Sequence, residues 1–412
     1  MTKKLGLTSF IIIALVMGLF VGYLVNENAE KETAIKIAEL VKLLGTIFIR
    51  LVQMIIAPLI FTTLVVGIAK LGDLKAVGRV GGKAMLWFVS ASLVSLFIGL
   101  ILVNFLKPGV GIDLSMADAS GAKDLIEKKT EFSISKFVEH VIPKSIVEAM
   151  ATNEILQIVI FSIFFGVATA SIGDYAKPIM KALEKVSHII LKIVGYVMNF
   201  APLGVFGSIC AVVAVKGLGI FEFYIHYFIA FLIGIAVLWI VLCLVGLLLL
   251  GKNRMIKLFK HISQPIIIAF STTSSEAVFP KLTEELERYG CNEKIVSFTL
   301  PLGYSFNLDG SMMYMTFASI AIAQAYGIEL SWGQMLTMLL VLMLTSKGVA
   351  GVPRASLIVV LATCAMFGIP PEGIALILPI DHFCDMFRSA TNVVGNSLST
   401  VVVSKWEGEL KE

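Results

Sequence analysis

The stretch Ile380-Asp381-His382-Phe383-Cys384-Asp385-Met386-Phe387-Arg388-Ser389-Ala390-Thr391-Asn392-Val393-Val394-Gly395-Asn396 puts five polar side chains into an apolar segment at positions i, i+4, i+7, i+11 and i+15. At about 3.6 residues per turn, Asp381, Asp385, Arg388, Asn392 and Asn396 fall within an arc of roughly 80°. Leu376 to Leu378 precede the row and Val401 to Val403 follow it. A fixed Arg with two Asp in a membrane helix is costly, so the row implies a solute or ion site facing the protein interior. That points to transport.

The rest of the chain is the right solvent for such a helix. Of 412 residues, 58% are hydrophobic and only 15% charged, with mean hydropathy +0.92. A soluble domain carries about 25% charge. Several apolar runs are long enough to cross a hydrocarbon core of about 30 Å. The expected fold is an all-α polytopic membrane protein, with no soluble domain before, between or after its spans.

The net charge is +4, and its distribution carries the topology. Basic stretches mark the cytoplasmic side. Lys3 and Lys4, then Lys70, Lys75, Arg79 and Lys83, then Lys252, Arg254, Lys257 and Lys260 are basic. The segment Asn26 to Leu40 holds Glu27, Glu30, Glu32 and Glu39. Six spans, over 8–26, 42–69, 81–106, 146–173, 186–214 and 221–251, put each basic loop inside and the acidic one outside. Leu7 to Val25 reads as a retained helix, because no small-residue cleavage site follows it. Both termini are expected in the cytoplasm of a prokaryotic cell, with the chain in its plasma membrane. The mixed-charge stretch 108–140 is expected as an extracellular loop.

Other chemistries find little support. Cys210, Cys243, Cys291, Cys364 and Cys384 lack metal spacing and read as small buried residues. Gly78 to Lys83 lacks both the spacing and the hydroxyl of a phosphate loop. No cofactor and no nucleic-acid partner are expected. An intramembrane hydrolase would need Ser274 or Ser275 with His261 or His382, and nothing in the sequence pairs them.

After Gly251 the pattern changes. Ser271-Thr272-Thr273-Ser274-Ser275-Glu276, followed by Pro280, interrupts one apolar segment. Thr345-Ser346-Lys347-Gly348-Val349-Ala350-Gly351-Val352-Pro353 interrupts another. Small and polar residues at membrane depth fit re-entrant hairpins whose tips face protein or a watery cavity. A polar helix follows each: Asn307-Leu308-Asp309-Gly310-Ser311 after the first, the Asp381 row after the second. Hairpin, polar helix, hairpin, polar helix is the pattern of an inverted repeat with a site at its interface.

Arg388 offers a planar fork that matches a carboxylate. Asp385, three residues earlier on the same face, suits an amino group. The plain alternative is an ion pair joining two helices. Ser274 and Ser275 offer hydroxyls and N–H groups to an anion, against a simple packing kink. An unwound turn at Asn307 to Asp309 exposes carbonyls beside one carboxylate. These ligands suit a hard monovalent cation, or Asp309 carries a proton through desolvation.

These motifs, with Asp385-Met386-Phe387-Arg388 and Asn392, resemble the dicarboxylate/amino acid:cation symporter family. Glutamate and aspartate transporters and the bacterial proton/sodium-glutamate symporters belong to it, and the resemblance spans essentially the whole chain. It implies eight transmembrane helices plus two re-entrant hairpins, in a homotrimer working by an elevator motion. Residues 1–80 and 141–217 would be a scaffold. Residues 81–107 and 218–412 would be a transport domain. Arg388 would pair with the side-chain carboxylate of an acidic amino acid and Asp385 with its amino group. Asn392 and Ser311 would add contacts, and the tips at Ser275 and at Val352 and Ser356 would close over the substrate. Cation sites would use Gly303, Asn307, Asp309 and Asn392, and Ser305 with the carbonyls of Ser346, Lys347 and Val349.

Four departures qualify that implication. Asn396 stands where sodium-coupled members have an Asp. Ala91 replaces a Thr, although Ser92 keeps a hydroxyl beside it. Met315 replaces a Gln or Glu. Arg354 replaces a small residue, either as a solvated tip charge or as a second cation for a dianion. The expected substrate is glutamate or aspartate, with a C4-dicarboxylate such as succinate, fumarate or malate as runner-up. The coupling ion is H+ and/or Na+, with a proton gradient favoured.

Overall fold

The computed structural model describes residues 7–71, 74–112, 141–217, 220–346, 355–370 and 373–411. Among them the chain is almost wholly helical. The one β pairing there is an isolated antiparallel bridge between Cys291 and Leu410. Among the described residues, five helical stretches are long and apolar enough to cross a membrane: Ser9–Asn28, Lys31–Ala69, Lys75–Leu106, Ile155–Met198 and Tyr224–Leu250. The protein is a multi-pass, all-α membrane protein.

The first half runs α1 (Leu7–Asn28), α2 (Lys31–Leu71), α3 (Leu74–Leu106), α4 (Ile146–Ala151), α5 (Ile155–Ile172), α6 (Lys177–Met198), α7 (Ala201–Lys216) and α8 (Ile220–Leu250). Three expected boundaries are corrected. The acidic segment before residue 42 is not a loop; it is the first turns of α2, where the exposed Lys36 and Glu32 pair at 2.7 Å. At 1.5 Å per residue α2 is about 60 Å long, so its charged end reaches past the hydrocarbon. The span expected over 146–173 divides at Thr152 to Glu154, where Asn153 has φ +56°. The span over 186–214 divides at Asn199 and Phe200, with Pro202 in the first turn of α7. Proline suits that position because its missing N–H has no helical partner there. Of the loop expected over 108–140, residues 113–140 lie outside the described residues.

Helices α1 and α2 pack on α7 at backbone distance. A Cβ at Gly18 would stand 3.0 Å from the Phe206 carbonyl, and one at Gly22 2.8 Å from the Cys210 carbonyl. Four-residue glycine spacing is the common device for close helix approach in lipid, where apolar burial gives no net drive. Pro58 interrupts α2, and the Thr62 and Thr63 hydroxyls donate to the Pro58 and Leu59 carbonyls around it (2.8 and 2.7 Å).

The second half contains the expected hairpin. Helix α9 (Lys252–Thr272) ends at Thr273 in the left-handed region, a short 3-10 turn spans Glu276–Val278, and α10 (Phe279–Tyr289) returns. The arms are antiparallel: Tyr289 donates to the Arg254 carbonyl (3.1 Å) and His261 Nδ1 lies 2.9 Å from Glu285. Helices α11 (Glu293–Phe306) and α12 (Asp309–Ala325) follow, then α13 (Trp332–Thr345), α14 (Ala355–Met366) and α15 (Ile374–Trp406). Helices α13 and α14 flank the second interruption. Its tip, with Lys347, Val349, Val352 and Arg354, lies outside the described residues.

The C-terminal tail binds this half together. Asn292 N–H donates to the Glu409 carbonyl (3.1 Å) and Lys411 N–H to the Gly290 carbonyl (2.9 Å). Asn292 Nδ2 donates to the Glu409 carboxylate (2.8 Å), which Lys294 also pairs. Glu407 takes Arg79 at 2.9 Å and Lys83 at 2.7 Å from α3. Lys83 also donates to the Trp406 carbonyl (2.7 Å).

Candidate functional site

Helix α15 carries the polar row unbroken, and nearly every side chain of the row is inside the protein. Arg388 is 1% exposed. Its guanidinium meets Asp385 at 2.8 Å (Nη2) and 3.1 Å (Nε), and Asp381 at 3.4 Å. The alternative of an ion pair joining two helices is therefore corrected. Both acids sit on the same helix as the arginine, at i−7 and i−3, where helical geometry alone brings them within reach.

The link between helices is a different residue. Tyr314 on α12 lies under Arg388, with the guanidinium carbon 4.0 Å from the ring centroid. Its hydroxyl donates to Asp381 at 2.6 Å. An aromatic face stabilises a desolvated cation, and the hydroxyl fixes the acid that faces it. Among the described residues, Arg388 Nη1 has no hydrogen-bond partner. Burying a guanidinium donor unmet is costly. Asp385 is the most open member of the group, with its side chain 27% exposed. The group presents an unmet donor beside an accessible carboxylate.

One turn further, Asn392 crosses to the start of α12. Its oxygen accepts from Gly310 N–H (2.9 Å) and Ser311 N–H (3.3 Å), and its nitrogen donates to Ser311 Oγ (3.1 Å). The side chain thus caps the N-terminus of α12, whose first N–H groups have no helical partner. The helix begins there because Asn307 and Leu308 leave helical geometry, at ψ 58° and 64°. The expected unwound turn is present.

A third cluster fills that break. Asp309 is fully buried. Ser95 on α3 donates to its Oδ1 at 3.4 Å, and Asn307 Nδ2 donates to its Oδ2 at 3.3 Å. Ser92 donates to the Phe306 carbonyl at 3.2 Å. Asn396, oriented by its hydrogen bonds, points its amide nitrogen at the carbonyls of Asn307 and Gly303, 3.2 Å from each. Among the described residues, Asn307 Oδ1 and Ser305 Oγ are buried without partners. A Cβ at Gly395 would collide with Asp309, and one at Gly303 would stand 2.5 Å from the Asn396 amide. The cluster offers oxygen ligands and one formal negative charge, a donor set suited to a hard cation.

A model of the sodium:dicarboxylate symporter family matches residues 7–406. The chain belongs to that family. It is 37% identical over 415 residues to the proton/sodium-glutamate symport protein of Bacillus caldotenax, covering 100% of this chain and 96% of that one. It is 40% identical over 414 residues to the C4-dicarboxylate transport protein of Bacillus subtilis (strain 168), covering 99% and 95%. It is 42% identical over 408 residues to the C4-dicarboxylate transport protein of Laribacter hongkongensis (strain HLHK9), covering 97% and 89%. As a member of the sodium:dicarboxylate symporter family the chain is a symporter and not an enzyme. The hydrolase alternative falls with this, and His261 is engaged by Glu285.

The structure thus gathers Asp385, Arg388, Asn392, Ser311, Gly303, Ser305, Asn307, Asp309, Asn396 and Ser92 along the contact of α3, α11, α12 and α15. The other expected residues that are described lie at helix ends and turns. Ser274 Oγ accepts from Ala277 N–H at 3.1 Å, and Ser275 is buried at the same turn. Ser346 donates to the Met343 carbonyl within its own helix end (3.1 Å). Ser356 is half-buried at the start of α14. Three residues were missed. In the sequence Tyr314 is one aromatic in an apolar helix and Ser95 one small residue in another, with no local signal to single them out. Lys216, which ends α7, donates to the Pro379 carbonyl of α15 (2.6 Å). Its signal was a lone cation in an apolar run.

Proposed function

We propose that this chain is a cation-coupled symporter that imports an acidic amino acid, glutamate or aspartate. The observation that carries this reading is Arg388: buried, stacked on Tyr314, and with Nη1 unmet by any described residue beside the accessible Asp385. A substrate carboxylate takes the unmet guanidinium donor. An amino group takes Asp385, the acid that water reaches. Asn392 and Ser311 line the next turn, and the hairpin tips close over the substrate.

For the coupling ion, Asn396 is the deciding position. Its amide hydrogens already occupy the Asn307 and Gly303 carbonyls, which a carboxylate in its place would leave to a cation. Asp309 is then the one carboxylate of the cluster. This favours proton coupling over a sodium ion held at that point. Carbonyls and amides around Asp309 still fit a single monovalent cation.

The close approach of α1 and α2 to α7 fits an elevator division with the scaffold at 1–80 and 141–217 and the moving domain at 81–107 and 218–412. The tail, through Lys83 on Glu407 and its bonds to Gly290 and Asn292, would help to hold the moving domain together. A homotrimer, and both termini in the cytoplasm of a prokaryotic plasma membrane, complete the proposal.

A second reading keeps the mechanism and replaces the substrate with a C4-dicarboxylate. The relatives named for such transport, at 40% and 42% identity, favour it. So does Arg354, as a second cation. Proteoliposomes loaded for separate sodium and proton gradients test both. Labelled aspartate should accumulate under an inward proton gradient without sodium. Succinate uptake that aspartate does not compete with would replace the amino-acid reading, and a strict sodium requirement would remove proton coupling.

A further inference from the structure

Helices α8 and α9 leave a seam between them that the substrate cluster does not use. Its deep end is a cavity of about 680 Å³ with apolar walls. Leu232, Ala236 and Trp239 of α8, Ile267 and Phe270 of α9, and Phe387 of α15 line it, and Ile12 and Leu15 of α1 close the far side. Its shallow end is a cavity of about 590 Å³ between Cys243 and Leu247 of α8 and Ile256, Lys260 and Ser263 of α9. The lining residues recur every three or four positions on both helices. Each helix therefore presents one stripe, and the two cavities lie along one line.

The seam has a direction. It begins where α9 carries Lys252, Lys257 and Lys260, all exposed, and no acidic residue occurs between 251 and 275. From Lys260 to Phe270 is ten residues, about 15 Å of helix. That is half of a hydrocarbon core of about 30 Å, the depth that one leaflet's acyl chains reach. A positive mouth over an apolar slot of one-leaflet depth matches an anionic phospholipid in charge and in length. Basic segments next to membrane helices attract anionic headgroups.

We infer that the α8–α9 seam is a binding site for an anionic phospholipid, with its headgroup at Lys260 and one acyl chain reaching Trp239 and Phe387. The far wall gives the occupant leverage on transport. Phe387 immediately precedes Arg388 and packs on Phe270 at 5.0 Å between centroids. Trp239 donates from Nε1 to Thr391 at 2.8 Å, one turn beyond Arg388. The inference goes beyond the proposed function and stands without it.

The test uses Trp239 as its own reporter. The protein is placed in phosphatidylcholine nanodiscs containing increasing fractions of phosphatidylglycerol brominated in mid-chain, or of phosphatidylcholine brominated likewise. In a W87F/W332F/W406F variant, Trp239 should be half-quenched at a several-fold lower fraction of the brominated phosphatidylglycerol. The added K260Q change should remove that preference. Equal quenching by both lipids, or a preference that the lysine variant keeps, overturns the site. If the single-tryptophan variant does not fold, native protein and W239F are compared. The phosphatidylglycerol-selective component of the quenching should vanish in W239F, and its persistence overturns the site.

Discussion

The Tyr314 hydroxyl donates to Asp381 at 2.6 Å across 67 residues of chain. This bond ties the helix that begins at the unwound turn to the helix that carries Arg388. Tyr314→Phe keeps the ring under the guanidinium and removes the donor. Asp381 is buried and among the described residues would keep only Arg388, at 3.4 Å, so loss of this hydrogen bond to a charged acceptor should cost about 1–3 kcal/mol. Thermal unfolding in detergent and the substrate KM should both show it, and a variant with unchanged KM and melting point would refute the role.

Arg388 should be irreplaceable by another cation. Lysine is a point charge and does not reproduce a fork that engages Asp381, Asp385 and a substrate together. Arg388→Ala and Arg388→Lys should each lower substrate affinity at least about 100-fold, a loss of ~3 kcal/mol consistent with breaking a buried charge pair. Binding measured by calorimetry on correctly folded protein checks this.

Asn396→Asp should raise the sodium response. It removes the amide hydrogens from the Gly303 and Asn307 carbonyls and sets a second carboxylate beside Asp309. Two buried carboxylates need a cation or a proton between them. Uptake across a sodium titration at fixed pH should show a steeper sodium dependence in the variant than in the native chain.

Gly395→Ala should disable the same cluster from the helix side. The added Cβ collides with Asp309. Overpacking of this kind typically costs about 1–3 kcal/mol. Transport should fall while Gly408→Ala, at a position with open space around it, perturbs only the tail.

The tail should weaken in acid. Burial alone would raise the Glu407 carboxyl above its usual 4.5, but hydrogen bonds from Arg79 and Lys83 outweigh burial and hold it lower. A lowered folded value means the stabilisation is present above pH 4.5 and is lost as pH falls through that lowered value. Glu407→Gln should cost on the order of 1 kcal/mol, since Arg79 is 59% exposed and water can replace its partner. Limited proteolysis of the C-terminus against pH should report it, with the variant showing no step in acid.

Much was legible because it is local. The Asp381 to Asn396 row is helical periodicity, and α15 carries it unbroken. The first hairpin and the break at Asn307 follow from hydroxyls, proline and glycine where an apolar helix would otherwise continue. Boundaries in the first half were less legible. The start of α2 reads as a charged loop, yet lysine and glutamate four apart sustain a helix beyond the bilayer. The turn at Asn199 and Phe200 carries no glycine to mark it.

What the sequence by itself determined is the membrane class, the polar face of α15, and the residue types able to hold an anion and a cation. These depend on spacing along one chain segment and on the cost of charge in hydrocarbon. Only the tertiary structure decided which partners those residues have: Tyr314 beneath Arg388, Ser95 on Asp309, the Asn396 amide on two carbonyls, Lys216 on Pro379. Each contact joins segments that the chain keeps far apart. A hydroxyl, an amide or an ammonium in an apolar run does not reveal which distant group will meet it, because packing sets that choice.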